Sequence, residues 1–371
     1  MKKILVVLGT RPEAIKLAPV ILELKKNHFF SVRVCITSQH GDMIMPVLNF
    51  FQIQPDIDLK IMKKNQSLSE LTATLISTLA ETFLIEKPDA VMIQGDTTTT
   101  FATALVSFYH KIKVIHIEAG LRTHNNQNPF PEELNRTLTS QLADIHFAPT
   151  EENKNNLKKE GIHRNCWVVG NTVIDALNIG LQKIKENHKP YDAFLSENGI
   201  KKNFILITLH RRESFGPDLE SVCEALKTLS KQLPQYQFIY PVHPNPNIHN
   251  PVHAKLGNSK NILLLPPLDY PKFIHLMSLA TLILSDSGGI QEEAPSLNIP
   301  ILILRDETER KEVLEMGLGV LVGTKKETIV AKTLQTIKHI GKNYITKKNP
   351  YERKESARII VEKLMGQEAK G

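Results

Sequence analysis

Short runs of consecutive apolar residues alternate with amphipathic, helix-like stretches along most of this chain. The runs lie at 4–8, 32–37, 90–94, 114–118 and 145–148 in the first half, and at 204–209, 237–242, 262–265, 282–285 and 301–304 in the second. Because these runs are apolar throughout, they predict strands that are buried on both faces of a parallel sheet. The pattern predicts an α/β protein with two Rossmann-like, doubly wound parallel-sheet domains that face a cleft.

Length and polarity indicate where the chain divides. At 371 residues it exceeds what one hydrophobic core usually supports. A polar stretch at 185–203 separates the two series of strands. We predict an N-terminal Rossmann-like domain over 1–170 and a C-terminal one over 171–352. The segment 353–371 has apolar residues at helical spacing, and we expect a terminal helix that packs back on the N-terminal domain.

Composition narrows the class of partner. The formal net charge is +7, which suits an anionic small molecule but is too dilute over this length to indicate nucleic acid. Cys35, Cys166 and Cys223 are too few and too scattered for a disulfide framework or a zinc site. The first apolar run breaks at Gly9, and no stretch is expected to span a membrane, so we predict a cytoplasmic protein.

The first run leads into the string GTRPEAIK at 9–16. Thr10 and Glu13 have the spacing of a capping box, which predicts the start of a helix. This scaffold does not require Arg11 or Lys16, and cations beside a helix N-terminus at the end of a parallel strand predict an anion site. No GxGxxG string follows this strand and the chain has no GKS or GKT string, so neither a dinucleotide cofactor nor a Walker-type site is indicated.

Acidic residues follow the strands of the first series. Asp96 precedes four threonines after the run at 90–94, Glu118 ends a later run, and Glu132 lies at the start of a predicted helix. Structural alternatives stay open: Asp96 could cap the helix that the threonines begin, and either Glu132 or Glu133 could simply oppose a helix dipole. Because the carboxyl ends of parallel strands share one edge, we expect these acidic residues to line one cleft with a histidine and several cations, a combination that a scaffold alone does not require.

The second series of strands ends in cationic and glycine-rich turns. His210 begins the string HRRE after the run at 204–209, and the string SDSGG occupies 285–289 before a predicted helix. Backbone N–H groups at that helix start would bind a diphosphate, and Glu293 one turn later would accept hydrogen bonds from a ribose diol. The predicted diphosphate clamp comprises Arg11, Lys16, Ser287, Gly288 and Gly289.

Taken in order, these strings identify a family resemblance that covers nearly the whole chain. They are GTRPEAIK at 9–16, GDTTTT at 95–100, EAGLR at 118–122, PEE at 131–133, HRRE at 210–213 and DSGGIQEEAPS at 286–296. The chain resembles the non-hydrolysing UDP-N-acetylglucosamine 2-epimerases, which have the two-domain GT-B architecture. So many long strings in one order make the resemblance highly specific.

The resemblance implies reversible epimerisation at carbon 2, which interconverts UDP-N-acetylglucosamine and UDP-N-acetylmannosamine. The proton on carbon 2 is not adjacent to a carbonyl, so direct abstraction and return would face too high a barrier. The implied route eliminates UDP to a 2-acetamidoglucal intermediate and adds it back from the other face. The resemblance further implies a homodimer, precursor supply for bacterial surface polysaccharide, and no need for a metal, a nicotinamide or another cofactor.

Family roles carry over to matching positions. The implied catalytic residues are Asp96, Glu118, Glu132 and His210. The implied substrate-binding residues are Arg11, Lys16, Ser287, Gly288, Gly289 and Arg310 for the diphosphate, Glu293 for the ribose and Phe273 for the uracil. A second, regulatory substrate site in some family members matches at Gln39, Arg211 and His243 but not at Gly41, Asp42 and Asn65. Which carboxylate is the base and which the acid stays open.

Four other functions stay open beside this one. A GT-B glycosyltransferase shares the fold and the nucleotide site but would not need three clustered carboxylates. A closer alternative is a 2-epimerase for another UDP-acetamido sugar, or a hydrolysing enzyme that releases free N-acetylmannosamine. A non-catalytic nucleotide-sugar binding module is disfavoured because Asp96, Glu118 and Glu132 are all present.

Overall fold

The computed structural model describes residues 1–38, 43–63, 66–209, 216–340, 349–353 and 355–368. The chain divides into two compact units, one formed by Met1–Ala176 with Tyr351–Gly371 and the other by Leu177–Pro350. The division falls inside a helix, Thr172–Glu186. The first residues of that helix therefore pack with the first unit, slightly beyond the boundary at 170 that the sequence predicts.

The first unit is built on a parallel sheet. Its strands are β1 (Lys2–Leu8), β2 (Phe30–Ile36), β3 (Ile57–Asp58), β4 (Ala90–Gln94), β5 (Lys113–Ile117), β6 (Ile145–Ala148) and β7 (Cys166–Val168). They lie in the order β3-β2-β1-β4-β5-β6-β7, and every neighbouring pair is parallel. The order reverses between β1 and β4, which is the doubly wound arrangement.

The second unit repeats this plan. Its strands are β8 (Phe204–Thr208), β9 (Gln237–Pro241), β10 (Ile262–Leu265), β11 (Leu282–Ser285), β12 (Ile301–Ile303) and β13 (Gly319–Leu321). They are parallel and lie in the order β10-β9-β8-β11-β12-β13, so the reversal falls between β8 and β11. The predicted α/β class with two doubly wound parallel sheets is confirmed.

Helices connect and cover the strands. They are α1 (Arg11–Lys25), α2 (Met45–Phe50), α3 (Leu68–Glu86), α4 (Thr98–Tyr109), α5 (Glu132–Leu142), α6 (Glu151–Lys159), α7 (Thr172–Glu186), α8 (Lys189–Glu197), α9 (Pro217–Gln232), α10 (Pro246–Leu256), α11 (Tyr270–Leu279), α12 (Gly288–Glu293), α13 (Lys311–Glu315), α14 (Lys326–His339) and α15 (Ser356–Glu368). The terminal helix α15 packs against α1 in the first unit. The carboxylate of Asp175 accepts a hydrogen bond of 2.6 Å from the N–H of Ala357 and so anchors its start.

The apolar runs predict the central strands closely and the edges poorly. Strands β3, β7 and β13, three of the four edge strands, lie outside the predicted runs, whereas the edge strand β10 coincides with one. An edge strand is covered on fewer sides, so it does not need a continuous apolar run. In β3, for example, Ile57 is half-buried and Asp58 is exposed. The three cysteines are buried and free, as expected for small apolar side chains.

One expectation about membranes needs correction. Helix α3 has 19 residues and a mean hydropathy of 1.3, which is long and apolar enough to cross a membrane by length and composition alone. A single such helix is weak evidence, because core helices of soluble proteins pass the same test. Leu71, Leu75, Leu79 and Phe83 on one side of α3 pack in the core of the first unit.

Candidate active site

The carboxyl ends of β1 and β4 lie side by side where the strand order of the first sheet reverses. In open parallel sheets, ligands bind in the crevice outside such a reversal. The turn that carries Arg11 leaves β1 at this point, and the turn that carries Asp96 leaves β4. Two segments that were singled out from the sequence therefore start at the same edge of the sheet.

Glu13 links the turn after β1 to the turn after β4 through hydrogen bonds. Its carboxylate accepts hydrogen bonds from the N–H of Gly9 at 2.9 Å and from the hydroxyls of Thr97 at 2.8 Å and Thr100 at 3.0 Å. Burial raises the pKa of Glu13, and its hydrogen bonds oppose that shift. Thr10 caps α1, accepting from the N–H of Glu13. The predicted helix start is confirmed, although the Glu13 carboxylate reaches Gly9 and the turn after β4.

Lys16 lies against Glu118, the candidate acid/base residue at the end of β5. The Nζ of Lys16 is 2.5 Å from Oε2 of Glu118, and each side chain is only 9% exposed. The same oxygen accepts hydrogen bonds from the amides of Gln94 at 3.0 Å and Asn171 at 3.4 Å. Glu118 has φ of +65°, a left-handed conformation that is uncommon outside glycine and clusters at functional sites.

Asp96 is held by α5. Its Oδ2 is 2.5 Å from Nη2 of Arg136, and the side-chain amide of Asn135 donates to its backbone carbonyl at 3.0 Å. The alternative in which Asp96 caps the threonine helix is wrong, because Thr97 is the N-cap of α4 and accepts from the N–H of Thr100 at 3.1 Å. The Asp96 carboxylate therefore has no capping task and keeps a quarter of its side chain exposed, at 25%.

Two neighbouring glutamates begin α5, and their surroundings differ. Glu133 is buried, and its carboxylate accepts hydrogen bonds from the N–H groups of Thr123 at 3.0 Å and His124 at 2.9 Å. Its Oε2 also lies 3.2 Å from Nη1 of Arg136. Glu132 is half-buried and one helical turn from Arg136. Glu133 thus has a structural role, and Glu132 is the residue that the resemblance assigns to the acid/base set.

The three candidate carboxylates belong to connected elements. Strands β4 and β5 are neighbours in register, with Gln94 opposite Ile117, so Asp96 and Glu118 follow adjacent strand ends. Asp96 in turn contacts α5, which Glu132 begins. Four side chains that contact Asp96 or Glu118 were not predicted from the sequence: three bind a carboxylate, and one binds the backbone carbonyl of Asp96. They are Gln94, Asn135, Arg136 and Asn171.

In the second unit, the turn after β11 is fixed by hydroxyl groups. The hydroxyls of Thr208 and Ser285 lie 2.6 Å apart across β8 and β11. Ser285 also accepts a hydrogen bond of 3.0 Å from the N–H of Ser287, the N-cap of α12. The backbone at 285–287 is therefore shaped by side chains on the two strands that flank the reversal.

Arg310 lies against the start of α12. A Cβ added to Gly288 would be 2.8 Å from the guanidinium carbon of Arg310, so only glycine allows this approach without a shift. The Nε of Arg310 donates to Glu292 at 3.0 Å, and the guanidinium also pairs with Glu309. The structure thus brings together Gly288 and Arg310, two residues predicted to bind a diphosphate.

The other predicted residues are spread over the second unit. Glu293 is buried within α12, Phe273 is half-buried in the first turn of α11, and His243 is exposed after β9. Gln39, His210 and Arg211, together with the departures at Gly41, Asp42 and Asn65, lie outside the residues that the structure describes. Among the described residues, no group of three or more His, Cys, Asp or Glu side chains could hold a metal ion.

Comparisons with known proteins agree with one another. The family described as UDP-N-acetylglucosamine 2-epimerase matches residues 22–365 of the chain. A UDP-N-acetylglucosamine 2-epimerase of Neisseria meningitidis is 48% identical over 98% of this chain and 99% of the relative. The enzyme of that name from Escherichia coli is 45% identical over 98% of both chains.

Solved structures give the same result. The crystal structure of UDP-GlcNAc 2-epimerase from Neisseria meningitidis bound to UDP-GlcNAc has a TM-score of 0.94 at 47% identity, covering 98% of this chain and 100% of that one. The enzyme from Methanocaldococcus jannaschii in complex with UDP-GlcNAc and UDP has a TM-score of 0.86 at 35% identity, covering 98% and 99%. The two parallel sheets agree with the GT-B architecture of this family. The isomerase activity for which the relatives are named agrees with the resemblance in sequence. The chain belongs to the UDP-N-acetylglucosamine 2-epimerase family.

Proposed function

We propose that this protein epimerises carbon 2 of UDP-N-acetylglucosamine reversibly, giving UDP-N-acetylmannosamine. The observation that carries the proposal is the group of carboxylates at the reversal of the first sheet. Asp96 and Glu118 each contact a buried cation there, and Glu132 begins the helix that holds Asp96. The substrate is supported by the relatives that bind UDP-GlcNAc and UDP.

The proposed route is elimination followed by addition. A carboxylate removes the proton from carbon 2 while the bond between carbon 1 and the diphosphate oxygen breaks, which gives UDP and 2-acetamidoglucal. UDP then adds back to carbon 1, and a carboxylic acid delivers a proton to the opposite face of carbon 2. Positioned acid and base groups contribute about 10²- to 10⁴-fold each. Asp96, Glu118 and Glu132 are the proposed acid/base set, with His210 supporting the sugar or the leaving group.

The departing diphosphate needs positive charge and N–H donors, because negative charge develops on it as the bond breaks. We assign this task to cations and to the start of α12, where Arg310 and Gly288 lie in contact. The proposed diphosphate ligands are Arg11, Lys16, Ser287, Gly288, Gly289 and Arg310. Glu293 is proposed to bind the ribose and Phe273 the uracil, and Gln39, Arg211 and His243 are proposed for a regulatory site.

The test is to incubate the purified protein with UDP-N-acetylglucosamine in deuterated water and to follow the products by NMR. Deuterium at carbon 2 in a mixture of both UDP-sugars is the expected result. Free N-acetylmannosamine as the main product would replace the proposal with a hydrolysing enzyme. Exchange with another UDP-acetamido sugar only would correct the substrate, and no exchange at high enzyme concentration would overturn the reaction.

We also propose that the protein is a cytoplasmic homodimer that supplies precursors for surface polysaccharide. Support for the dimer comes from apolar side chains at the carboxyl ends of α3 and α4, two helices that pack side by side. The side chains are Leu84, Ile85, Phe108 and Tyr109, which are 64%, 78%, 61% and 65% exposed. Light scattering on wild type and on Ile85→Lys tests the dimer: a monomeric wild type would contradict it.

A further inference from the structure

Two buried histidines lie side by side in the middle of the first sheet. His116 on β5 and His146 on β6 are partners in the parallel register, and they are 0% and 2% exposed. Both belong to otherwise apolar strands, where a polar ring is unfavourable unless it is hydrogen-bonded. The proposed reaction uses neither ring, so their presence calls for another reason.

Each ring contacts one backbone carbonyl. Nε2 of His116 is 2.8 Å from the carbonyl oxygen of Gly95, and Nε2 of His146 is 2.9 Å from that of Ser140. Because a carbonyl oxygen can only accept, Nε2 carries the proton in both rings. Burial lowers the pKa of both histidines, to about 3 for His116, so each ring is neutral at physiological pH.

The carbonyl that His116 contacts directly precedes Asp96. Gly95 has φ of +74°, and its N–H donates to the carbonyl of Ile117 at 3.0 Å, so β5 holds this residue through both its N–H and its carbonyl. Asn135 holds the next carbonyl, and Arg136 holds the Asp96 carboxylate. His116 is the side chain of this set that contacts the peptide between Gly95 and Asp96, and it lies on β5, the strand that Glu118 follows.

We propose that His116 is a positioning residue for Asp96, whose neutral Nε2–H donates to the Gly95 carbonyl and fixes the backbone from which the carboxylate projects. The proposal rests on the proposed role of Asp96 in epimerisation. Displacement of a reacting group by about 1 Å can lower turnover about 100-fold, so a single bond to this peptide has a measurable effect.

The rival explanation is that His116 only fills space. His146 separates the two explanations, since it has the same residue type, burial and register but donates to Ser140, toward the end of α5 away from Glu132. Nδ1 of each ring has no hydrogen-bond partner among the described residues. A phenylalanine at either position would remove that unpaired nitrogen but also leave the backbone carbonyl without its donor, so the two substitutions should change stability by a similar amount.

The experiment compares His116→Phe, His116→Gln and His146→Phe with wild type, whose exchange of the carbon 2 proton in deuterated water must be measured first. We expect His116→Phe to lower kcat and this exchange about 10- to 100-fold, with KM and the Kd for UDP changed less than about 3-fold. His116→Gln retains a side-chain N–H donor and should recover part of the loss. His146→Phe should keep kcat within about 3-fold of wild type.

Equal losses in the two phenylalanine variants would overturn the proposal, as would full activity in His116→Phe. Failure of wild type to exchange would refute the proposed function instead. ¹⁵N spectra of the histidines in the wild-type protein do not depend on enzyme activity. They therefore test the proposal even if the wild type shows no exchange or a variant does not fold. We expect the ring of His116 to have a protonated Nε2 and shifts that stay constant between pH 5.5 and 8, and a titrating or Nδ1-protonated His116 would also overturn the proposal.

Discussion

The two sheets share one strand order but carry different chemistry where that order reverses. At the reversal of the first sheet, the cations Lys16 and Arg136 are paired with the candidate carboxylates Glu118 and Asp96. At the reversal of the second, a glycine-rich helix start meets Arg310. One backbone plan thus carries the proposed acid/base residues in one unit and the proposed anion-binding turn in the other, because the residues after each strand decide the chemistry.

The aspartates that follow the two reversals show this difference directly. Asp96 follows β4 by way of Gly95 and keeps 25% of its side chain exposed. Asp286 follows β11 directly and is fully buried, beside the hydroxyl-fixed turn. A partly exposed carboxylate can contact a substrate, whereas a fully buried one contacts only the surrounding protein and so affects its stability. The comparison therefore predicts separate effects on turnover and on stability.

The largest effect is expected from Asp96→Asn. An amide cannot take or deliver the proton on carbon 2, so kcat should fall about 10²- to 10⁴-fold while UDP still binds. Product NMR gives turnover, and titration calorimetry gives the Kd for UDP. The matched variant is Asp286→Asn, for which thermal stability should change more than kcat at saturating substrate. Equal losses of kcat in the two variants would contradict the expectation that Asp96 acts in turnover and Asp286 in stability.

Lys16→Met tests whether the main role of Lys16 is to pair with the carboxylate of Glu118. Both partners of the Lys16–Glu118 pair are 9% exposed, so its removal leaves a buried charge and should lower the free energy of unfolding by about 3 kcal/mol. Urea unfolding measures this loss. The double variant with Glu118→Gln should recover part of the stability. A loss of UDP affinity without a loss of stability would instead make Lys16 a diphosphate ligand alone.

The strand ends that carry the candidate residues could be predicted from the sequence, but the contacts between their side chains could not. Asp96, Glu118 and the turn at 285–289 were identified because residues after apolar strands must lie at one edge of a parallel sheet. The contact of Lys16 with Glu118 spans 102 positions along the chain, and local spacing carries no information about such a pair. Arg136 lies at helical spacing from Glu132, which was the one local signal for its position.

A pH series tests His116, one of the two buried histidines of the first unit, whose pKa is also influenced by the charges of His146, Arg122 and Asp96. The folded-state pKa of His116 is lowered from 6.5 to about 3, so at pH 5 the unfolded chain binds a proton that the folded chain does not. Its contribution to stability is therefore lost as pH falls below about 6.5, amounting to about 2 kcal/mol at pH 5.

The prediction concerns the difference in free energy of unfolding between two proteins, because the contributions of all other titrating groups cancel in that difference. Unfolding free energies of wild type and His116→Phe should change in parallel between pH 7 and 8. Between pH 7 and 5 the variant should lose about 2 kcal/mol less than wild type, as measured by urea unfolding at each pH. An identical pH dependence of the two proteins would mean that His116 is protonated in the folded state.

The smallest expected effect tests the anion site of the second unit. In Gly288→Ala the new Cβ would lie 2.8 Å from the Arg310 guanidinium, which must shift, whereas a Cβ at Gly289 would meet nothing nearer than Ser287 Oγ at 4.0 Å. Because the shifting group is the end of a flexible side chain, the fold should survive. If Arg310 binds the diphosphate from this position, UDP affinity falls about 10-fold more in Gly288→Ala than in Gly289→Ala, or about 1.4 kcal/mol by calorimetry. Equal UDP affinities in the two variants would mean that Arg310 does not bind the nucleotide from this position. The start of α12 would then remain as the proposed anion site.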